Sequence, residues 1–152
     1  MAVSEKIPHV LVIHGPNLNM LGKREPEIYG TETLEKINEA LFQRARGYHI
    51  TLETFQSNHE GDIVAKIQAA MSDCKGLIIN PAAFAHTSMA ILDALLLLSV
   101  PIIEVHLSNI YKREPFRQKS LVAAAATGQI SGLGAMGYIL ALEAIANILA
   151  SL

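Results

Sequence analysis

A largely apolar run near the start of the chain limits the possible folds more than any other part of the sequence. Residues Ile7–Ile13 are mainly aliphatic and β-branched, and the pair Gly15-Pro16 follows the run directly. A strand with so few polar positions has to be covered on both faces, which is typical of a parallel sheet lying between two layers of helices. The run therefore predicts a buried strand in an α/β fold.

Helical and strand patterns alternate along the rest of the chain. Further strands are predicted at Ile50–Gln56, Leu77–Ile79, Pro101–Leu107 and Gln129-Ile130. Helices are predicted from Thr33 to Gly47, from the opening pair Ser57-Asn58 through Ala70, from Thr87 or Ser88 through Leu98, and from about Ala135 to Leu149. This alternation predicts right-handed βαβ units, with a parallel sheet and helices on both faces. Since no repeat or linker interrupts it, residues 1–152 are expected to form a single catalytic domain.

Composition excludes several classes of protein. The formal net charge is -2, whereas a nucleic-acid-binding domain usually presents a basic face. Cys74 is the single cysteine, so no internal disulfide can form. The longest apolar run, Ala94–Val100, is too short to cross a membrane, and the first residues contain no apolar segment typical of a secretory signal. We therefore expect a cytoplasmic protein with no nucleic-acid or membrane partner.

Polar side chains follow the predicted strands at the points where the strands end. In open α/β sheets, ligands bind beyond these carboxyl ends, near the position where the strand order reverses. The polar residues in question are Asn17, Asn19, Arg24 and Tyr29 after the first strand, Asn80 and His86 after the third, and His106, Ser108, Arg113 and Arg117 after the fourth. We expect them to share one binding site. The segment from Gly15 to Gly30 is long for a connection, which favours a lid or binding loop.

Two of the side chains suggest acid–base chemistry. Glu104 and His106 are two residues apart on a strand, so they point to the same face, where a carboxylate can orient an imidazole and stabilise its protonated form. Tyr29 lies close to Lys23 and Arg24, and neighbouring cations lower the pKa of a phenol and favour its ionised form. A loop tyrosine is more often a packing residue, but these neighbours make it a candidate base.

The chain closely resembles the type II 3-dehydroquinate dehydratases of the shikimate pathway, which serves aromatic amino acid biosynthesis. The resemblance runs nearly from end to end. It is carried by the blocks Gly15-Pro16-Asn17-Leu18-Asn19, Arg24-Glu25-Pro26, Tyr29-Gly30, Gln56-Ser57-Asn58-His59-Glu60-Gly61, Asn80-Pro81, His86-Thr87-Ser88, Glu104-Val105-His106-Leu107-Ser108-Asn109, Arg113-Glu114, Phe116-Arg117 and Gly132-Leu133-Gly134.

The resemblance implies a fold, an assembly and a reaction. The fold is flavodoxin-like, with three layers and strand order 2-1-3-4-5, and the assembly is a homododecamer built from trimers. The reaction converts 3-dehydroquinate to 3-dehydroshikimate and water, and it needs neither a metal nor a cofactor. Tyr29 would abstract the proton alpha to the ketone, with Arg24 and Arg113 stabilising its phenolate. His106, oriented by Glu104, would protonate the leaving hydroxyl.

The same resemblance implies the substrate contacts. Asn17 would help to hold a water against the enolate oxygen. The remaining substrate-binding residues would be Asn80, His86, Ser108 and Arg117, together with the backbone amides of Leu107 and Ser108 for the carboxylate and Asp93 reaching from a neighbouring subunit. The chain departs from the commonest family pattern at four positions, which are Ala82, Phe84, Ala85 and Tyr111.

Three other interpretations stand beside this one. A metal-dependent hydrolase or lyase could use His86, Glu104 and His106, although no H-E-x-x-H motif is present. A nucleotide-binding module could use the glycine spacing of residues 132–137, but that motif opens the last helix rather than following the first strand. The third interpretation is a binding protein that assembles through Ala123–Ala126 and the apolar last helix.

Overall fold

The structure is a computed structural model that describes residues 6–23, 25, 27 and 31–152. Its five strands form one parallel sheet, and their order is β2-β1-β3-β4-β5. The strands are β1 (His9–His14), β2 (Thr51–Gln56), β3 (Cys74–Asn80), β4 (Ile102–His106) and β5 (Gly128–Ser131). The predicted parallel sheet and its strand order are thus confirmed, with each strand within a few residues of its predicted position.

Four α-helices within residues 31–152 cover the two faces of the sheet. They are α1 (Leu34–Gly47), α2 (Glu60–Ala69), α3 (Met89–Leu95) and α4 (Met136–Ala150). Helices α1 and α4 pack on one face and α2 and α3 on the other, so the molecule has two separate apolar cores. Successive residues of β1 alternate between these cores, because side chains along a strand point to opposite faces.

Local signals in the sequence explain where α1 begins. Thr33 caps the helix, and its side-chain oxygen accepts a hydrogen bond from the Lys36 amide at 3.2 Å. Four side chains at helical spacing are buried against the sheet, namely Leu34, Ile37, Leu41 and Ala45. Both the predicted start and the predicted end of this helix are confirmed.

Two predicted helix boundaries are wrong, for identifiable reasons. Helix α2 begins at Glu60 rather than directly after the pair Ser57-Asn58, because both of those side chains accept hydrogen bonds in the preceding turn, from His59 and Asn17 respectively. Helix α3 ends at Leu95 rather than Leu98. The chain then tightens into a turn in which the Leu98 amide donates to the Leu95 carbonyl, ahead of a proline that disfavours helix.

Among the described residues, no helix combines the length and the apolar character needed to span a membrane.

Candidate active site

A cavity opens at the carboxyl ends of β1, β3 and β4, next to the point where the strand order reverses. Its volume is about 160 Å³, and one water needs roughly 10–15 Å³ on the same measure. The cavity is therefore large enough for a small metabolite. It is lined by residues 16–18, 20 and 21 after β1, residues 80, 82, 83 and 86 after β3, and residues 106–108, 110, 113 and 117 after β4.

Most of the residues predicted from the sequence meet in this cavity. It is lined by Asn17, Asn80, His86, His106, Leu107, Ser108, Arg113 and Arg117. Glu104 lies behind His106, and Asp93 occupies an exposed position on α3, away from the cavity lining. Arg24 and Tyr29 lie outside the described residues.

The pair formed by Glu104 and His106 is the chemical centre of the cavity. Both side chains are buried, and His106 Nε2 hydrogen-bonds a carboxylate oxygen of Glu104. A carboxylate oxygen accepts, so Nε2 carries a hydrogen and Nδ1 is the ring nitrogen left for a ligand. Because β4 lies between β3 and β5, the pair sits inside the sheet rather than on a solvated edge. The carboxylate fixes the imidazole in one tautomer and supports its protonated form.

Two further side chains hold Glu104 in its ionised form. Ser120 donates from Oγ at 3.0 Å and Gln129 donates from Nε2 at 2.9 Å. Burial raises the pKa of Glu104, but the hydrogen bonds from His106, Ser120 and Gln129 outweigh it, so the pKa lies below its usual value. Buried carboxylates are retained only when they are paired in this way.

Sequence reasoning missed Ser120 and Gln129. The available signal was a glutamine in a short predicted strand, since Gln129 stands directly opposite Glu104 in the β4–β5 register. The amide oxygen of Gln129 accepts a hydrogen bond from the Tyr111 hydroxyl at 3.4 Å. Tyr111 therefore helps to orient the side chain that supports Glu104.

The loop after β1 is held in place by the segment that precedes α2. Asn58 Oδ1 accepts from the Asn17 amide at 2.9 Å and from Gln56 Nε2 at 3.1 Å. Gln56 Nε2 also donates to the Gly15 carbonyl at 3.2 Å. These contacts fix Asn17 in a left-handed conformation with φ 69°, at the rim of the cavity. The segments 15–17 and 56–58, which are about forty residues apart in the sequence, thus form one structural unit.

The turn after β3 is tight and strained. Asn80 is buried, and its Oδ1 accepts a hydrogen bond from the Ala82 amide at 3.1 Å. Ala82 has φ +50°, a left-handed conformation that costs an L-residue with a Cβ more than it costs glycine. The turn also passes close to Gly15, where a Cβ would lie 2.4 Å from the Pro81 oxygen. The backbone therefore requires glycine at position 15.

His86 closes another side of the cavity. Its Nδ1 lies 2.8 Å from the Lys119 carbonyl oxygen, which can only accept, so Nδ1 carries the hydrogen and Nε2 is left for a ligand. The ring stacks against His106 with centroids 6.4 Å apart. The two imidazoles thus line the same cavity, each with one ring nitrogen engaged by the protein.

Two arginine side chains, Arg113 and Arg117, line the cavity. Arg113 Nη1 is 3.5 Å from Ser108 Oγ, and Arg117 forms an ion pair of 2.8 Å with Glu114. Guanidinium groups suit a planar anion because they can form two parallel hydrogen bonds with it. The site is consequently suited to a small carboxylate.

The geometry also bears on the alternative interpretations. Within the part of the chain that the structure describes, no group of three or more His, Cys, Asp or Glu side chains could hold a metal ion. In the glycine motif, a Cβ at Gly137 would lie 3.3 Å from Val105 Cγ1, and one at Gly132 would lie 3.0 Å from Asn109 Cβ. These glycines permit close packing, as expected for a structural rather than a nucleotide-binding role.

A family model, curated relatives and solved structures all assign this chain to the same family. The family model described as dehydroquinase class II matches residues 8–146. A 3-dehydroquinate dehydratase from Roseiflexus castenholzii is 59% identical over 134 residues, which are 88% of this chain and 85% of the relative. A crystal structure of type II dehydroquinase from Butyrivibrio crossotus superposes with a TM-score of 0.89 at 45% identity, covering 91% of this chain and 97% of that one. A type II dehydroquinase from Propionibacterium acnes gives 0.88 at 45% identity, covering 91% and 96% of the two chains.

Proposed function

The chain belongs to the class II dehydroquinase family, and we propose from this premise that it converts 3-dehydroquinate to 3-dehydroshikimate and water by general acid–base catalysis. The reaction removes a proton alpha to a ketone and expels a hydroxyl from the neighbouring carbon. It therefore requires a base, a group that stabilises the enolate, and an acid for the leaving group. The flavodoxin-like fold predicted from the sequence is confirmed by the strand order and the structural relatives.

In this proposal His106 is the acid. His106 lines the cavity, and its Nε2 is anchored to Glu104, which leaves Nδ1 as the ring nitrogen available to the substrate. Glu104 remains ionised through its three hydrogen-bond donors, so it stabilises the imidazolium that must deliver a proton to the departing hydroxyl. This buried, fully partnered pair in the cavity is the observation that carries the proposed function.

The base in this proposal is Tyr29, which acts as a phenolate. Arg24 and Arg113 stabilise the phenolate by charge, since nearby cations favour the ionised form of a phenol. Asn17, at the rim of the cavity, holds a water against the developing enolate oxygen. A preorganised donor at that place stabilises charge that appears only as the proton leaves.

Substrate binding falls to the remaining residues that line the cavity. The carboxylate is bound by the backbone amides of Leu107 and Ser108. The ring hydroxyls are bound by Asn80, His86, Ser108 and Arg117. The two guanidinium groups of the lining support this assignment, because they suit an anionic substrate.

We propose that the whole chain is one catalytic domain in a cytoplasmic homododecamer built from trimers. Asp93 supports this assembly, because it lies exposed on α3 away from the cavity of its own chain, as a residue serving a neighbouring subunit would. No metal or cofactor takes part in the proposed reaction.

The test is the ultraviolet absorbance of purified protein mixed with 3-dehydroquinate, followed as the conjugated enone of the product forms. We expect rapid growth of absorbance at the same rate with and without a chelator. Loss of activity on chelation, reversed by added metal, would instead support the metal-dependent interpretation. No growth from folded protein would contradict the dehydratase itself.

A further inference from the structure

The buried carboxylate of Glu104 receives neutral donors from two elements that do not touch the substrate in the proposed reaction. Gln129 lies on β5, and its Nε2 donates at 2.9 Å to the same oxygen, Oε2, that accepts from His106. Ser120 lies just before the short turn of residues 122–125, and its Oγ donates to Oε1 at 3.0 Å. Both carboxylate oxygens are therefore engaged, at a position that is fully shielded from solvent.

The position of Ser120 is fixed by contacts that do not involve Glu104. The Ala123 amide donates to Ser120 Oγ at 3.2 Å, so the hydroxyl accepts there and directs its own hydrogen to the carboxylate. The neighbouring backbone is anchored to the turn after β3, because the Leu121 amide donates to the Ala85 carbonyl at 2.7 Å. The hydroxyl is thus held in place as a donor to Glu104.

The orientation of the Gln129 amide is fixed from its other end. The Tyr111 hydroxyl donates to Oε1 at 3.4 Å, so the oxygen faces Tyr111 and the NH₂ group faces Glu104. The reversed amide would place an acceptor against an ionised carboxylate, which also only accepts. The start of β5 is held on β4, because the Thr127 amide donates to the Ile102 carbonyl at 2.7 Å and Thr127 Oγ1 accepts from the Ile102 amide at 3.1 Å.

The charged groups around the pair lie mainly on the side of His106. Strand β3 places Ile79 opposite Glu104, and residues 121–127 carry no ionisable side chain. The one ionisable residue of α3, Asp93, is exposed. The ionisable groups that line the cavity together with His106 are His86, Arg113 and Arg117. Replacing Ser120 or Gln129 changes none of these groups, so such variants change only the donors to Glu104.

We propose that Ser120 and Gln129 are positioning residues that set the proton affinity of the Glu104–His106 pair, and thereby the strength of His106 as the acid. The inference rests on the proposed function, in which His106 protonates the leaving hydroxyl. Each donor withdraws negative charge from the carboxylate that stabilises the imidazolium. The imidazolium is then stabilised less, so it gives its proton to the leaving group more readily.

Loss of one donor has two consequences of the same sign. More negative charge remains on the carboxylate, which favours a proton on the imidazole of His106. The burial of Glu104 is also opposed less strongly, which favours a proton on the carboxylate itself. In either case the pair takes up its proton at a higher pH and becomes a weaker acid. A purely structural role for Ser120 and Gln129 predicts no such change.

The first experiment measures kcat against pH for the parent, Ser120→Ala and Gln129→Leu. In the proposed mechanism kcat falls at high pH, as the pair loses the proton that it must deliver. We expect this alkaline limb to move up by about one pH unit in each variant. We also expect kcat at its optimum to fall about three- to tenfold, with KM within about twofold of the parent, because the acid is weaker and no substrate contact is lost. An alkaline limb at the parent position in both variants would overturn the proposal.

Ile130→Ala is the matched control. Ile130 follows Gln129 on β5 and is partly buried in the core of α1 and α4, on the opposite face of the sheet. Truncating it should lower the free energy of unfolding and leave the alkaline limb in place. An equal shift of the limb in Ile130→Ala would show that any disturbance of β5 has this effect, which would count against a specific role for Gln129.

The second measurement does not depend on turnover. NMR of protein labelled with carbon-13 at histidine Cε1 follows each imidazole as the pH changes, and the spectrum of His106→Asn identifies the signal of His106. We expect this signal to titrate at higher pH in Ser120→Ala and Gln129→Leu than in the parent. Identical titration curves in the three proteins would refute the inference. A parent protein without dehydratase activity would refute the proposed function but would leave this titration readable.

Discussion

At the scale of single residues, the cavity depends on groups whose ionisation is set by their partners. Glu104 is buried among apolar strands, and it stays charged because His106, Ser120 and Gln129 all donate to it. His14 is equally buried but meets only neutral partners, so burial dominates and it stays uncharged. Two buried titratable groups of the same sheet, one charged and one neutral, thus owe their charge states to different causes.

Replacing the proposed base is the most direct test of the mechanism. Tyr29→Phe should reduce kcat by about 10²- to 10⁴-fold, the usual contribution of a general base, while Kd for the product changes little. Tyr48→Phe, a partly buried tyrosine packed against the α1 core, is the control and should keep full activity. An active Tyr29→Phe variant would remove the phenol from the mechanism.

Histidine 14 should make stability depend on pH. Its pKa is about 4 when folded and near 6.5 when unfolded, so between these values the unfolded chain binds more protons. The free energy of unfolding should therefore be highest above pH 6.5 and fall by about 2 kcal/mol between pH 7.5 and pH 5 through this residue. Urea unfolding of the parent and of His14→Gln at both pH values measures the effect. Parallel losses in the two proteins would show that His14 does not contribute.

At the scale of elements, the turn from Asn80 to His86 combines two demands. It must bring Asn80 and His86 to the cavity, and it must pass within contact distance of Gly15. The cost appears at Ala82, which adopts a left-handed backbone with a side chain that disfavours it. The strain arises because alanine, rather than glycine, stands at a position with a left-handed backbone.

Relieving this strain should stabilise the protein. Ala82→Gly removes the cost of the left-handed conformation, which is about 1–2 kcal/mol. Glycine also gives the unfolded chain more conformational entropy, which offsets part of this gain. We therefore expect the free energy of unfolding to rise by about 0.5–1 kcal/mol. Ala83→Gly is the matched control. Ala83 does not have a positive φ, so glycine relieves no strain there. The same change at position 83 should therefore lower the free energy of unfolding by a similar amount, because glycine loses more conformational entropy on folding. Thermal unfolding of both variants decides the matter, and a loss in both would show that the turn is unstrained.

At the scale of the whole molecule, the sheet separates two cores and brings the site together at one edge. The core of α1 and α4 contains the hydrogen-bonded pair of His14 and Tyr138, and Glu104 points to the opposite face of the sheet from Ile103 and Val105. The cavity lies where the carboxyl ends of β1, β3 and β4 meet. Parallel strands place all of these ends on one side, which is why residues distant in sequence form one site.

The proposed assembly predicts complementation between subunits. If Asp93 serves a neighbouring site, Asp93→Ala and Tyr29→Phe proteins should each be inactive, but mixed assemblies formed by co-refolding should recover part of the parent activity. Some sites then combine an intact Tyr29 with a neighbour's intact Asp93. Light scattering should give about twelve times the mass of one chain for every variant. Activity that stays absent in verified mixed assemblies would contradict a shared site.

The fold class and most of the residues around the cavity could be predicted from the sequence alone. Apolar periodicity identified the strands and helices, and the position of polar residues after the strands was enough to gather His86, His106, Arg113 and Arg117 at one edge, because parallel strands leave no other arrangement. The spacing of Glu104 and His106 was enough to pair them, because alternate residues of a strand share a face.

The side chains that support that site could not be predicted in this way. Gln129 and Ser120 reach Glu104, and Tyr138 reaches His14, across separations of 16 to 124 residues. Local periodicity contains no information about such contacts, because they depend on strand register and helix packing. The strain at Ala82 also comes from tertiary contacts. Its backbone conformation is imposed by the close approach of Gly15 and the hydrogen bond to Asn80, and not by the preference of alanine.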